Sequence, residues 1–233
     1  MFTRLLQRAA WPSQCLICHA WPAATLCSRC VARFTVPVPR CRSCALPVPD
    51  GVARCGACLR KPPPLERCLV AADYRWPWTR CIAQFKFGQD PGMAAPLAAL
   101  LAAAPGVAQA LAAVDDVLPM PHSAERLAER GYNPAQLLAR HLLARRVRDG
   151  LLLRIRHDPP QRGLSRAERL KNVRGAFAVD PRRAAALSGH RVALVDDVMT
   201  TGASLREAAL ALRAAGVSHI IAIAFARTDE GRQ

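Results

Sequence analysis

The sequence predicts an α/β fold in which a parallel sheet carries helices on both faces, preceded by a small cysteine-rich module. Three observations predict it. From residue 68 onward, short apolar runs of strand length alternate with longer segments of helical spacing, the order that builds parallel βαβ units. Ahead of them, four Cys-x-x-Cys pairs stand between Cys15 and Cys58. Between the two regions, Pro62, Pro63 and Pro64 stop regular structure and read as a stiff linker. The expected organisation is a cysteine module over residues 1–61, a linker at 62–64 and a sheet domain over 65–233.

The elements follow in order. Residues 68–74 alternate as a short strand, and residues 78–87 have helical spacing with Trp78, Ile82 and Phe85 on one face. Gly88 is a natural stop for that helix. Residues 91–114 carry no charge, but Pro96, Pro105 and Gly106 interrupt them. They read as two buried helices divided by a Pro-Gly turn rather than as a membrane span. Residues 114–119 read as a strand, 133–148 as a helix and 151–155 as another strand. The polar, basic stretch 157–172 reads as a long loop with some helix. Residues 191–195 form a strong apolar strand, 205–215 a helix closed by Gly216, and 220–225 a final strand.

Composition bounds the function classes. The chain has 233 residues, of which 52% are hydrophobic and only 5% aromatic, so its core is aliphatic and alanine-rich. With 33 Lys+Arg against 17 Asp+Glu, the net charge is +16. Such an excess suits polyanions or phosphorylated ligands, although an arginine-rich surface gives the same balance without either. The segment before Trp11 lacks a continuous apolar run, so no export signal is expected and the cytoplasm is the expected compartment.

The pairs Cys15/Cys18, Cys27/Cys30, Cys41/Cys44 and Cys55/Cys58 point to metal. Two thiolates separated by two residues sit on one tight turn, and two such turns complete a tetrahedral zinc site. One ion or two, with sequential or crossed pairing, are all compatible with the spacing, and His19 beside Cys18 is an alternative ligand. Disulfides would need an oxidising compartment. Cys68 and Cys81 stand outside the pairs and read as small buried apolar residues.

The most informative segment runs from Val192 to Ser204. An apolar strand ends in Asp196 and Asp197, and Thr200, Thr201, Gly202, Ala203 and Ser204 then open a helix. Ligands of open α/β sheets bind at the carboxyl ends of strands. Backbone N–H groups and hydroxyls at a helix N-terminus cradle a phosphate monoester, and Gly202 lets the backbone approach it. The two acids would repel that phosphate. They suit the vicinal hydroxyls of a ribose instead, directly or through Mg²⁺. A simple helix cap explains one of these residues but not the whole run.

The segment closely resembles the phosphoribosyl-pyrophosphate signature of type I phosphoribosyltransferases. The wider chain resembles the ComF family, also called GntX-like, of competence-associated proteins. The likeness rests on the cysteine pairs, Phe85-Lys86-Phe87, Pro119-Met120-Pro121, Arg126 with Arg130-Gly131-Tyr132-Asn133, Gln161-Arg162, Arg169-Leu170-Lys171-Asn172 and the terminal signature. The resemblance implies a double zinc ribbon ahead of a phosphoribosyltransferase-like domain. It implies phosphoribosyl pyrophosphate, or a related ribose phosphate, with Mg²⁺ on the segment from Asp196 to Ser204. It makes the loop 121–133 a pyrophosphate contact through Arg126 and Arg130, with Lys86 either a further contact or a snorkelling lysine. It makes 161–172, with Arg162, Arg169 and Lys171, the flexible loop that closes over the site. Transfer of a phosphoribosyl group with release of pyrophosphate would follow. The rival implications are a non-catalytic single-stranded-DNA-binding protein working with a DNA-uptake partner, and a ligand sensor. No residue declares an acceptor pocket or a general base.

Overall fold

The computed structural model describes residues 13–156 and 173–229. The chain divides into two compact units between Val36 and Pro37.

The first unit holds the first two cysteine pairs. Ser13 and Ala23 form an antiparallel bridge that closes the Cys15/Cys18 turn. Helix α1 (Ser28–Phe34) begins directly after Cys27. The second unit opens in the same way. Arg40 and Pro47 bridge around Cys41/Cys44, and helix α2 (Gly56–Arg60) begins directly after Cys55. In both, one cysteine pair sits on a turn and the other at the start of a short helix.

The rest of the second unit is built on a four-stranded sheet of β1 (Arg67–Asp73), β2 (Asp116–Pro119), β5 (Arg191–Met199) and β6 (His219–Arg227). The order is β1-β6-β5-β2, and every pairing is parallel. The central strands β5 and β6 are buried on both sides, as near-continuous apolar runs require. Helix α3 (Trp78–Phe87) covers one face, where Trp78 meets Phe225 edge-on with ring centroids 5.5 Å apart. The neighbouring strand residues Ile220, Ala222 and Ala224 face the other way, into a cluster with Leu205, Ala208, Ala209 and Leu212. Those four belong to the helix Ala203–Ala214, numbered α8 in chain order. Helices therefore cover both faces, as expected.

The uncharged stretch folds as α4 (Ala94–Ala103) and α5 (Val107–Ala112), with Gly106 in the left-handed region at φ +79° between them. Among the described residues no helix is long and apolar enough to cross a membrane.

Three expectations change. The helix expected over 133–148 is α7 (Pro134–Leu143), followed by a single 3₁₀ turn at Ala144–Arg146. The strand expected at 151–155 is β3 (Leu152–Arg154). It pairs antiparallel with β4 (Phe177–Val179) in a separate two-stranded sheet. An apolar run of three residues fixes strand character but not the partner, and here the nearer partner is a short edge segment. The stretch 121–133, expected as a loop, contains α6 (Ala124–Arg130). Its signals were local: the Ser123 hydroxyl accepts from the Arg126 N–H at 3.4 Å, and Gly131 ends it at φ +75°. The expected loop over 157–172 lies outside the described residues.

Candidate ribose-phosphate site and zinc centres

Strand β5 outruns its neighbour. Its last pairing with β2 joins Val195 to Pro119, while its pairing with β6 continues to Met199. Residues 196–199 thus stand beyond the end of β2, and both acids lie at the open carboxyl edge of the sheet. Thr200 and Thr201 turn the chain, and Gly202 caps α8 at φ +76°. The Thr201 hydroxyl accepts from the Ala203 N–H at 3.2 Å and holds the turn. A Cβ on Gly202 would stand 2.5 Å from the Met199 methyl group. Gly202→Ala is therefore expected to cost about 1–3 kcal/mol from the positive φ alone. For a chain of this size that lowers the melting temperature by a few degrees. An unchanged melting curve would show that the loop relaxes freely.

Asp197 is nearly fully buried. Its Oδ1 receives the Lys86 ammonium at 2.8 Å. Burial alone would raise its carboxyl, but Lys86 reverses that and holds it below the usual carboxylate range. Asp196 lacks such a partner. Burial, with the Asp197 charge pushing the same way, raises it to about 7. The structure thus places the Lys86 ammonium against Asp197. It is delivered from the last turn of α3, a helix far away in sequence.

The other wall follows β2. Met120, Pro121 and His122 lead into α6, and the Asn133 side chain fixes the far end. Its Nδ2 donates to the Met120 carbonyl at 2.9 Å while its Oδ1 caps α7 by accepting from Ala135 N–H at 2.9 Å. The Tyr132 hydroxyl donates to the Phe85 carbonyl, binding this wall to α3. Arg130 lies over the Phe87 ring at 4.8 Å. Burial lowers its guanidinium below its ordinary value, against the pull of Asp197. The fields of Arg126 and Arg130 both reach the His122 imidazole. Of the expected residues, the structure brings together Lys86, Asp196, Asp197, Arg126 and Arg130. Thr200, Thr201, Gly202, Ala203 and Ser204 run on directly from the acids. Arg162, Arg169 and Lys171 lie outside the described residues.

Two residues were missed. His122 is partly buried beside the acids, and its only sequence signal was its place just past a strand's carboxyl end. Arg227 is the last residue of β6 and is 4% exposed. Its Nε donates to the Cys44 carbonyl at 2.9 Å, and its terminal nitrogen donates to the carbonyls of Met199, at 3.2 Å, and Thr200. One buried guanidinium thus joins a cysteine turn to the turn that follows β5.

The cysteines form two groups, Cys15/Cys18/Cys27/Cys30 and Cys41/Cys44/Cys55/Cys58, whose sulfur atoms all lie within 4.8 Å of one another. Pairing is sequential and not crossed, and each group reaches four ligands without His19. Burial opposes ionisation of Cys15 and Cys41. Backbone N–H groups outweigh it and bring them down to about 6 and about 7. Four soft, closely spaced sulfurs with ionised members fit a structural zinc ion.

Comparison with known proteins agrees with both halves. Residues 6–59 match a double zinc ribbon domain, and residues 127–233 match a phosphoribosyl transferase domain. The chain is 31% identical over 229 residues to DNA utilization protein YhgH of Escherichia coli O6:H1, covering 93% of this chain and 98% of that protein. It is 33% identical over 201 residues to Competence protein F of Haemophilus influenzae, covering 84% and 87%. The chain belongs to the ComF family. A YhgH protein of Salmonella typhimurium is 30% identical over 226 residues, with the same 93% and 98% coverage. In this ComF-family chain both four-cysteine groups fall within the residues that match the double zinc ribbon domain.

Proposed function

We propose that this chain binds phosphoribosyl pyrophosphate with Mg²⁺ and transfers its phosphoribosyl group, in the service of DNA uptake or utilization. The observation that carries the reading is the run from Asp196 to Ser204. Two acids, Asp196 half-buried and Asp197 buried, end a central strand, and a tight turn with Gly202 at φ +76° opens a twelve-residue helix directly behind them. Helix N–H groups and the hydroxyls of Thr200, Thr201 and Ser204 take the 5-phosphate. Asp196 and Asp197 take the ribose. Arg126 and Arg130, on α6, take the pyrophosphate that Mg²⁺ accompanies. The acids repel an anion and welcome a hydroxyl, and Arg126 and Arg130 lie on the helix that follows β2. The names Competence protein F and DNA utilization protein, borne by relatives of nearly full length, support the biological setting.

The test is calorimetric titration of phosphoribosyl pyrophosphate and Mg²⁺ into the zinc-loaded wild type and into Asp196→Ala/Asp197→Ala. The wild type is expected to bind and the double variant to show no heat of binding. A folded wild type that does not bind would remove the ligand assignment. The net charge of +16 favours a second reading, a module that binds single-stranded DNA without transfer. That reading predicts DNA affinity falling steeply with salt and no pyrophosphate release with any acceptor.

A further inference from the structure

Arg227 carries its charge into the interior at the end of β6, where the residue is 4% exposed. Burying a charge is costly unless hydrogen bonds replace the lost water. Here backbone carbonyls replace it. The Nε–H donates to the Cys44 carbonyl at 2.9 Å, which fixes the direction in which the planar fork points. The terminal nitrogen donates to the carbonyls of Met199, at 3.2 Å, Thr200 and Thr228. Two of these carbonyls, those of Met199 and Thr200, belong to the turn between β5 and α8.

Holding those two carbonyls decides where the next two N–H groups point. The peptide bonds after Met199 and Thr200 are trans. In a trans peptide the carbonyl and the following N–H point in opposite directions. The Thr200 and Thr201 N–H groups therefore face away from the guanidinium. The Met199 carbonyl also accepts from the Thr228 N–H at 3.0 Å, so it lies on the β6 side of β5. The Thr200 N–H then lies on the opposite side, where β2 has stopped short at Pro119. Among the described residues neither N–H donates to a protein acceptor, whereas the Ala203 N–H is taken by the Thr201 hydroxyl. We propose that Arg227 is a positioning residue: by drawing back the Met199 and Thr200 carbonyls, it presents the Thr200 and Thr201 N–H groups to the phosphate of the ligand. The guanidinium never touches that phosphate and acts only through the backbone. This inference rests on the ribose-phosphate reading given above.

The test uses the full-length, zinc-loaded protein, ribose 5-phosphate as the probe, and the variants Arg227→Lys and Arg227→Met. The chain has seven threonines, so selective ¹⁵N-threonine labelling isolates the Thr200 and Thr201 amides. In the wild type both resonances are expected to move downfield as the probe saturates the site. Lysine keeps the charge but not the fork, so affinity should fall by about tenfold and both shifts should shrink. Methionine keeps neither, and affinity should fall by about a hundredfold with both shifts lost. These factors correspond to one and two hydrogen bonds to a charged acceptor. Melting curves and zinc content establish that each variant is folded and loaded, and Lys serves where Met does not fold. A folded variant that binds as the wild type does would overturn the role of Arg227 while leaving the ribose-phosphate reading intact. So would weaker binding with both shifts undiminished at saturation, or a wild type that binds the probe without moving either amide. A wild type that does not bind the probe would overturn both.

Discussion

Removing the zinc ligands Cys41 and Cys58 together, as Cys41→Ser/Cys58→Ser, is expected to collapse the second unit's melting transition and to abolish ligand binding at the sheet's carboxyl edge. Structural zinc supplies about 10–16 kcal/mol of folding free energy in isolated zinc-finger peptides. That is comparable with the whole stability of an ordinary domain, about 5–15 kcal/mol. In this chain the second cysteine group is not a detachable tag. The Arg42 carbonyl accepts from Cys68 N–H at 2.8 Å on the edge strand β1, and Arg40 pairs with Asp73 at 2.8 Å at that strand's end. Arg227 then bridges the Cys44 carbonyl to Met199 and Thr200. The same turn and the turn after β5 share the walls of a cavity of about 610 Å³, with Cys44, Cys55, Thr201 and Gly202 among its lining. Loss of the metal frees the Cys44 turn, and the buried guanidinium then loses one of the carbonyls that hold it. The measurement is calorimetric melting with and without a chelator, beside titration of the ligand. The control is Cys15→Ser/Cys30→Ser. Those residues belong to the other compact unit, so the second unit's transition should persist. A Cys41/Cys58 variant that melts and binds as the wild type does would show that the sheet holds the loop unaided.

Much of this site was legible as text because its parts are local. An apolar strand, two acids and a Thr-Thr-Gly turn succeed one another within one βα unit, and each residue's backbone role follows from its neighbours. The Cys-x-x-Cys pairs are legible for the same reason, since one turn makes each half of a metal site. Their sequential pairing was not readable from spacing, because crossed turns use the same spacing. What the text hid are contacts between residues far apart. Lys86 meets Asp197 across more than a hundred positions, and nothing in Phe-Lys-Phe names a carboxylate. Arg227 stands two positions past the strand expected at 220–225, and the fold places it against two carbonyl-rich turns. His122 carried no pattern at all, and its environment is assembled from α3, α6 and β5. Helix α6 is a different kind of miss. Its Ser123 cap and Gly131 stop were in plain view, but the expectation of a phosphate-contacting loop outweighed them.

The second large effect falls on the pair at the centre. Lys86→Met keeps the length and apolar stem of the side chain and removes only the ammonium. Asp197 is then left buried, beside Asp196, without the ammonium that paired with it. Breaking a buried pair by removing one partner costs about 3–5 kcal/mol, which for a chain of this size lowers the melting temperature by roughly ten degrees. The sign of its pH dependence is fixed by linkage. In the wild type Asp197 titrates below its unfolded value of about 3.9, so its contribution to stability is present above that pH and is lost as pH falls through the lower folded value. In the variant, burial and the neighbouring Asp196 push the same carboxyl above the unfolded value. Its folded form then holds a proton the unfolded chain has released, and stability drops as pH rises. The gap between wild type and variant is therefore expected to be widest near pH 8 and to narrow towards pH 5. Melting both proteins at the two pH values reads this directly, and a gap of equal size at both would mean that Lys86 acts by packing rather than by charge. Adding Asp197→Asn to Lys86→Met should return most of the lost stability, since the buried charge is then gone. It should not return ligand binding, since the amide cannot replace the carboxylate as an acceptor on both oxygens. That split separates what the ion pair does for the fold from what the carboxylate does for the ligand.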